Sequence, residues 1–92
     1  MQESFLHFVW QFQYFDKKDL LTSEREAVNI IQPGIYNTDS GPDFSDSKIL
    51  VKEMLWHGHT EIHLKSSDWN VHSHQDDPAY NKVILHVVWD DD

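Results

Sequence analysis

The chain has 92 residues, 16 of them acidic and 7 basic, for a formal net charge of −9. A field of that sign repels nucleic acid and anionic membranes, which argues against an unaided DNA- or RNA-binding module. The chain has no cysteine, which excludes disulfides and thiolate metal sites, and no run approaches the ~20 apolar residues of a membrane helix.

What remains is one small domain, with 39% hydrophobic and 13% aromatic residues to build a core from few positions. The absence of cysteine fits a reducing cytosol, and the N-terminus does not read as a signal peptide, so the expected location is the cytoplasm.

Residues 3–15, ESFLHFVWQFQYF, read as a helix capped by Ser4. Leu6, Val9, Trp10 and Gln13 fall on one side, and Phe5, Phe8 and Phe12 on the adjoining one. His7 reads as part of this core helix. Residues 16–26 are a connection. AVNIIQPG is a short strand ended by Pro33-Gly34, and YNTDSGPDF is a loop.

FSDSKILVKEMLWHG opens a hairpin with its turn near Lys52-Glu53. The returning strand runs from about Leu55 to Lys65. Its odd positions hold His57, His59, Glu61, His63 and Lys65, and its even positions hold Trp56, Gly58, Thr60, Ile62 and Leu64. Alternation puts the first set on one face and the second, mostly apolar, on the other. SSDWNVHSHQDDPAYNK carries one or two helical turns, with Asp77 capping a turn that starts at Pro78. Trp69 and Tyr80 read as packing anchors. VILHVVW is a near-continuous apolar run expected as a buried central strand, interrupted by His86, which reads as a sheet-face residue. An end directly after such a strand reads as the cut edge of a longer protein. The fold class is α+β: helix, three strands, a helical connection and a strand, on a mixed sheet.

The hairpin sets Asp43 roughly opposite the segment Glu61 to His63. Two carboxylates from neighbouring strands can share a hard cation such as Mg2+ or Mn2+, whose water then becomes a nucleophile. His63 and Lys65, on the face of Glu61, can orient that water or steady a phosphoryl oxygen. The same residues can equally be exposed cross-strand ion pairs of small worth. His63, His72 and His74 offer a rival, a transition-metal site of neutral imidazoles. A non-catalytic scaffold or protein-interaction domain is the third reading, favoured by the acidic balance.

Two resemblances bear on this choice. The segments FLHFVWQF, PGIYNTDSGPDF, GHTEIHLKSSDW, HSHQDDPAY and VILHVVW, in that order, resemble the N-terminal part of a bacterial family, the domain of unknown function 2851. Members of that family are longer, which implies that this chain is an N-terminal fragment. The family implies no activity. The element order is also similar to that of the restriction-endonuclease-like PD-(D/E)xK phosphodiesterases. Pro42-Asp43 matches their Pro-Asp element, and Glu61-Ile62-His63 their acidic-x-lysine element with histidine in the lysine position. That likeness implies a metal-dependent nuclease. Asp43 and Glu61 would hold Mg2+ or Mn2+, with His63 or Lys65 serving water or phosphate. Glu3 would add a ligand from the helix, and His72 and His74 would line the site. Nucleic acid would be bound through the missing C-terminal part.

Overall fold

The computed structural model describes residues 2–18, 20–72 and 74–92, with Gln75 described by its backbone only. Asp19 in the first connection and Ser73 in the crossover lie outside the described residues. The elements are α1 (Glu3–Phe12), β1 (Val28–Gln32), β2 (Ile35–Tyr36), β3 (Phe44–Val51), β4 (Met54–Lys65), α2 (Asp68–Val71) and β5 (Val83–Asp90). Two 3-10 turns, His74–Asp76 and Pro78–Tyr80, lie between α2 and β5. The strands form one mixed five-stranded sheet in the order β1-β3-β4-β5, with β2 also pairing β3. All pairs are antiparallel except β4–β5, which is parallel. A parallel pair needs a crossover, and α2 with the two turns supplies it.

The helix is shorter than the sequence suggests. Its N-cap is Gln2, so Ser4 lies inside the first turn and caps nothing. It stops at Phe12 because Gln13 turns left-handed at φ 56°, closing the end with Tyr14 N–H donating to Val9 O. Only Trp10 is fully buried. Phe5, Phe8 and Phe12 are about half exposed, so the aromatic side is a solvent-facing ridge rather than core.

One face of the sheet carries the core. Phe44 of β3 and Ile62 of β4 are buried against Trp10, with Leu6, Phe15, Ile30, Leu85 and Val87 packed around them. The buried polar groups on this face are satisfied in a chain. Thr60 Oγ1 donates to Ser47 Oγ at 2.8 Å, and Ser47 Oγ donates to Pro33 O at 2.9 Å. Trp10 Nε1 donates to the same carbonyl at 3.0 Å, pinning α1 to the turn before β2. Gly34 follows at φ 102°, and a Cβ there would sit 2.6 Å from Ser47 Oγ and 2.7 Å from Ser45 O.

A bulge in β3 decides what reaches the site. The hairpin pairs Val51 with Met54 and keeps register as far as Ser47 with Gly58. Unbroken, that register would set Phe44 opposite Glu61. Asp46 instead adopts φ 58°, and the register shifts by one to pair Phe44 with Thr60. Asp43 is thereby delivered to Glu61 and Phe44 to the core face. Strand β5 approaches β4 closely at Gly58, where a Cβ would meet Lys82 O at 2.5 Å. It is the outer strand of the sheet, half-buried and with Trp89 exposed, not the buried central strand expected from its apolar run. The run is apolar because residues on both faces pack: Leu85 and Val87 on the core, and His86 under the crossover.

Candidate metal centre

The opposite face of β4 carries Glu61 and His63, 3% and 1% exposed. The crossover covers it. Trp69 of α2 packs edge-on against His74 and at a tilt against His86, and Tyr80 stacks on His74 with ring centroids 3.9 Å apart. The turn holding Tyr80 starts at Asp77, whose side chain accepts from Ala79 N–H at 3.0 Å, the cap that the Asp-Pro pair predicts.

Four ligand-type atoms converge here. His63 Nε2 lies 3.2 Å from His72 Nδ1, 3.2 Å from His74 Nε2 and 3.2 Å from Glu61 Oε2. Glu61 Oε2 is also 2.7 Å from His74 Nε2. A ring nitrogen holds at most one proton and so makes at most one hydrogen bond of this kind. Three close partners on one nitrogen are not a hydrogen-bond network. The three imidazole nitrogens lie within 4.8 Å of one another. Their 3.2 Å separations from His63 Nε2 are near the roughly 3.3 Å expected between tetrahedral ligands about 2.0 Å from a metal, while the 2.7 Å Glu61–His74 separation is that of a hydrogen bond. His72 is exposed and gives the centre an open side, while His63 and His74 are buried.

His86, opposite Glu61 on β5, supports the cluster from behind. Its Nε2 is 2.7 Å from His63 Nδ1. Burial, then the His63 and His74 charges, push its pKa down to about 4, so it stays neutral. A neutral His86 can accept the Nδ1 proton of His63, leaving the His63 Nε2 lone pair for a ligand. Burial lowers the pKa of His74 as well. For His63 burial also pulls down, but the Glu61 carboxylate outweighs it and the net shift is upward.

Asp43 stands beside this centre. Its N–H donates to Glu61 Oε1 at 3.1 Å, and its Oδ2 accepts from Ile62 N–H at 2.8 Å. Against the cost of burial, His7, the Ile62 N–H and Glu61 hold its carboxyl below the usual range. The helix contributes Glu3 and His7, one turn apart. His7 Nε2 is 3.3 Å from Asp43 Oδ2 and 3.7 Å from Glu3 Oε1. Glu3 is held above its usual range by burial.

The sequence-predicted residues thus divide. Asp43, Glu61, His63, His72 and His74 come together, and Glu3 joins through His7, which lies beside Asp43. Lys65 does not. It is exposed at the end of β4, with its backbone N–H bonded to Asp68 Oδ2 at 3.1 Å. His7 and His86, read as core-helix and sheet-face residues, both belong to the site. The Glu3–His7 spacing of four was the available signal for the first. For His86 the signal was parallel pairing with β4, which a single sequence does not display.

One pH dependence follows for the metal-free protein. The Asp43 carboxylate raises the pKa of His7 from 6.5 more than burial lowers it. Stability from the charged pair is therefore fully present below pH 6.5 and is lost as pH rises through the elevated folded value. On the acid side the depressed Asp43 carboxyl contributes above 3.8, and that contribution is lost as pH falls through its lower folded value. Thermal unfolding of His7→Gln should fall further below wild type at pH 5.5 than at pH 8.5. An equal gap at both would rule the pair out as the source.

No described helix is long and apolar enough to cross a membrane. No curated protein and no solved structure matches the chain. A family model described as a protein of unknown function, DUF2851, matches residues 3–92, the span that holds every residue of the cluster. The chain belongs to the DUF2851 family.

Proposed function

We propose that this domain binds a divalent transition metal at His63, His72, His74 and Glu61 and uses it for hydrolysis. The observation that carries the reading is the convergence of two imidazole nitrogens and a carboxylate oxygen on His63 Nε2, each at 3.2 Å. Three imidazoles and one carboxylate suit Zn2+, or Mn2+ and its neighbours, better than Mg2+, which takes oxygen ligands. Such an ion lowers the pKa of a bound water toward neutrality and polarises a phosphoryl or carbonyl oxygen. The chain's own residues hold the ligands in place: His86 behind His63, Tyr80 on His74, and Asp43 N–H on Glu61.

A phosphodiester is the substrate class we assign, in keeping with the Asp43–Glu61 contact and the likeness of element order to the PD-(D/E)xK enzymes. His63 occupies their lysine position, and we read it as a ligand rather than as a cation. The net charge of −9 disfavours a long nucleic acid and favours a small diester, unless further chain supplies a basic groove. The cysteine-free composition suits the cytoplasm.

The test is hydrolysis of an activated aryl phosphodiester by metal-free protein given Zn2+ or Mn2+. Activity should appear with metal, vanish with chelator, and fall at least about 100-fold in Glu61→Gln and His72→Ala. Metal binding with no hydrolysis would sink the catalytic part. The domain would then be a metal-stabilised interaction module, for which the exposed Phe5, Phe8 and Phe12 provide an apolar surface.

A further inference from the structure

We propose a second divalent-cation site, formed by Glu3, His7 and Asp43, adjoining the histidine centre through Glu61, so that the domain holds a pair of metal ions. It rests on the reading of the first site as a metal centre.

The argument begins with an orphan atom. His7 Nε2 is buried, yet among the described residues it has no hydrogen-bond partner. Asp43 Oδ2, 3.3 Å away, faces it as an ion-pair partner without completing a hydrogen bond, and Glu3 Oε1 lies 3.7 Å away. A buried ring nitrogen that completes no hydrogen bond is rare without a reason. One ligand atom from each of Glu3, His7 and Asp43 falls within 4.8 Å of the other two. Around an ion at about 2.1 Å, ligands 90–120° apart are separated by about 3.0–3.6 Å, the scale of the two His7 distances.

The remaining atoms are placed to hold such a set. His7 Nδ1 is 3.1 Å from the Tyr36 hydroxyl, which fixes the ring and can take its proton when Nε2 serves as a ligand. Asp43 is fixed by Ile62 N–H. Glu3 and His7 share one side of α1, and that helix is anchored to the sheet by Trp10. Glu61 lies between the two groups. Its Oε2 faces the histidines and its Oε1 accepts from Asp43 N–H.

Charge argues the same way. Glu3, Asp43 and Glu61 gather three carboxylates near the junction of α1, β3 and β4, and Lys65, at the end of β4, is exposed to solvent. The two sites also differ in chemistry. The first is rich in nitrogen, and the second has two oxygens and one nitrogen, a harder set suited to Mn2+ or Fe2+.

Equilibrium dialysis of the metal-free chain against Zn2+, and separately against Mn2+, tests this by metal count per chain. Wild type should bind two equivalents, and His7→Ala and Glu3→Gln one each. Glu3 lies in the first helical turn and is partly exposed, so Glu3→Gln keeps the fold if His7→Ala does not. His72→Ala should also bind one, retaining the second site. A wild type that binds one equivalent, lost in His72→Ala and kept in His7→Ala, overturns the second site and leaves the first standing. A count unchanged from wild type in both His7→Ala and Glu3→Gln overturns it as well. No binding by wild type overturns both sites.

Discussion

Zinc added to the metal-free chain at about a thousand times its dissociation constant should stabilise the fold by about 4 kcal/mol. In a domain of this size that raises the unfolding temperature by roughly 15–30 °C. The effect is large because the ligands exist as a set only in the folded chain. Glu61 and His63 come from β4, His72 and His74 from the crossover, so the unfolded chain offers no comparable site. His72→Ala is the cleanest probe. Its side chain is exposed, so the substitution leaves the metal-free stability within about 0.5 kcal/mol. It should nonetheless reduce the zinc shift to the part that the Glu3, His7 and Asp43 site supplies, and His57→Ala, on the exposed half of β4, should leave the shift whole. The shift should also depend on pH. Ligand imidazoles must be neutral, and the Glu61 carboxylate makes His63 harder to deprotonate despite its burial. The zinc effect should therefore be full at pH 8 and nearly gone at pH 5. A shift of the same size in wild type and His72→Ala would show that zinc acts elsewhere.

Phe44→Ala should cost about 3–5 kcal/mol, a large part of the stability of a domain this small. Phe44 is fully buried, and its ring packs on Tyr36, His7 and Trp10 with centroids 5.2, 6.3 and 6.5 Å away. It follows Asp43 directly, so its anchoring also fixes where that carboxylate sits. Urea unfolding measures the cost, with Phe8→Ala as the control. Phe8 is 48% exposed on α1 and should lose far less. Equal losses would mean that the core lies elsewhere.

The sequence displays some of this readily. The hairpin turn at Lys52-Glu53 shows because apolar runs flank it, and the Asp77-Pro78 cap because its chemistry is local. The facing of Glu61 and His63 away from Ile62 follows from strand alternation alone. Counting from the turn puts Asp43 near Glu61. The reason it meets Glu61 rather than Ile62 is the Asp46 bulge, and an aspartate in a left-handed conformation carries no mark in a single sequence. His7 looked like core because it sits in an apolar helix. Its role depends on where that helix docks, a long-range fact fixed by Trp10 reaching Pro33. Strand β5 misled for a related reason. A continuous apolar run signals two packed faces, not a central position. In a domain with few layers the outer strand of a parallel pair has both faces packed as well.

The crossover has one more consequence. It leaves the sheet at Lys65 and rejoins it at Val83, and it carries two of the four converging residues while β4 carries the other two. An ion held by both would tie shut a segment of about ten residues. Cross-linking a loop of that length removes chain entropy worth about 3 kcal/mol from the unfolded state. Small extracellular domains obtain that constraint from a disulfide, and this chain has no cysteine with which to make one. The histidines of the crossover would then be staples as much as ligands, and losing the ion would loosen the crossover before it disturbed the sheet.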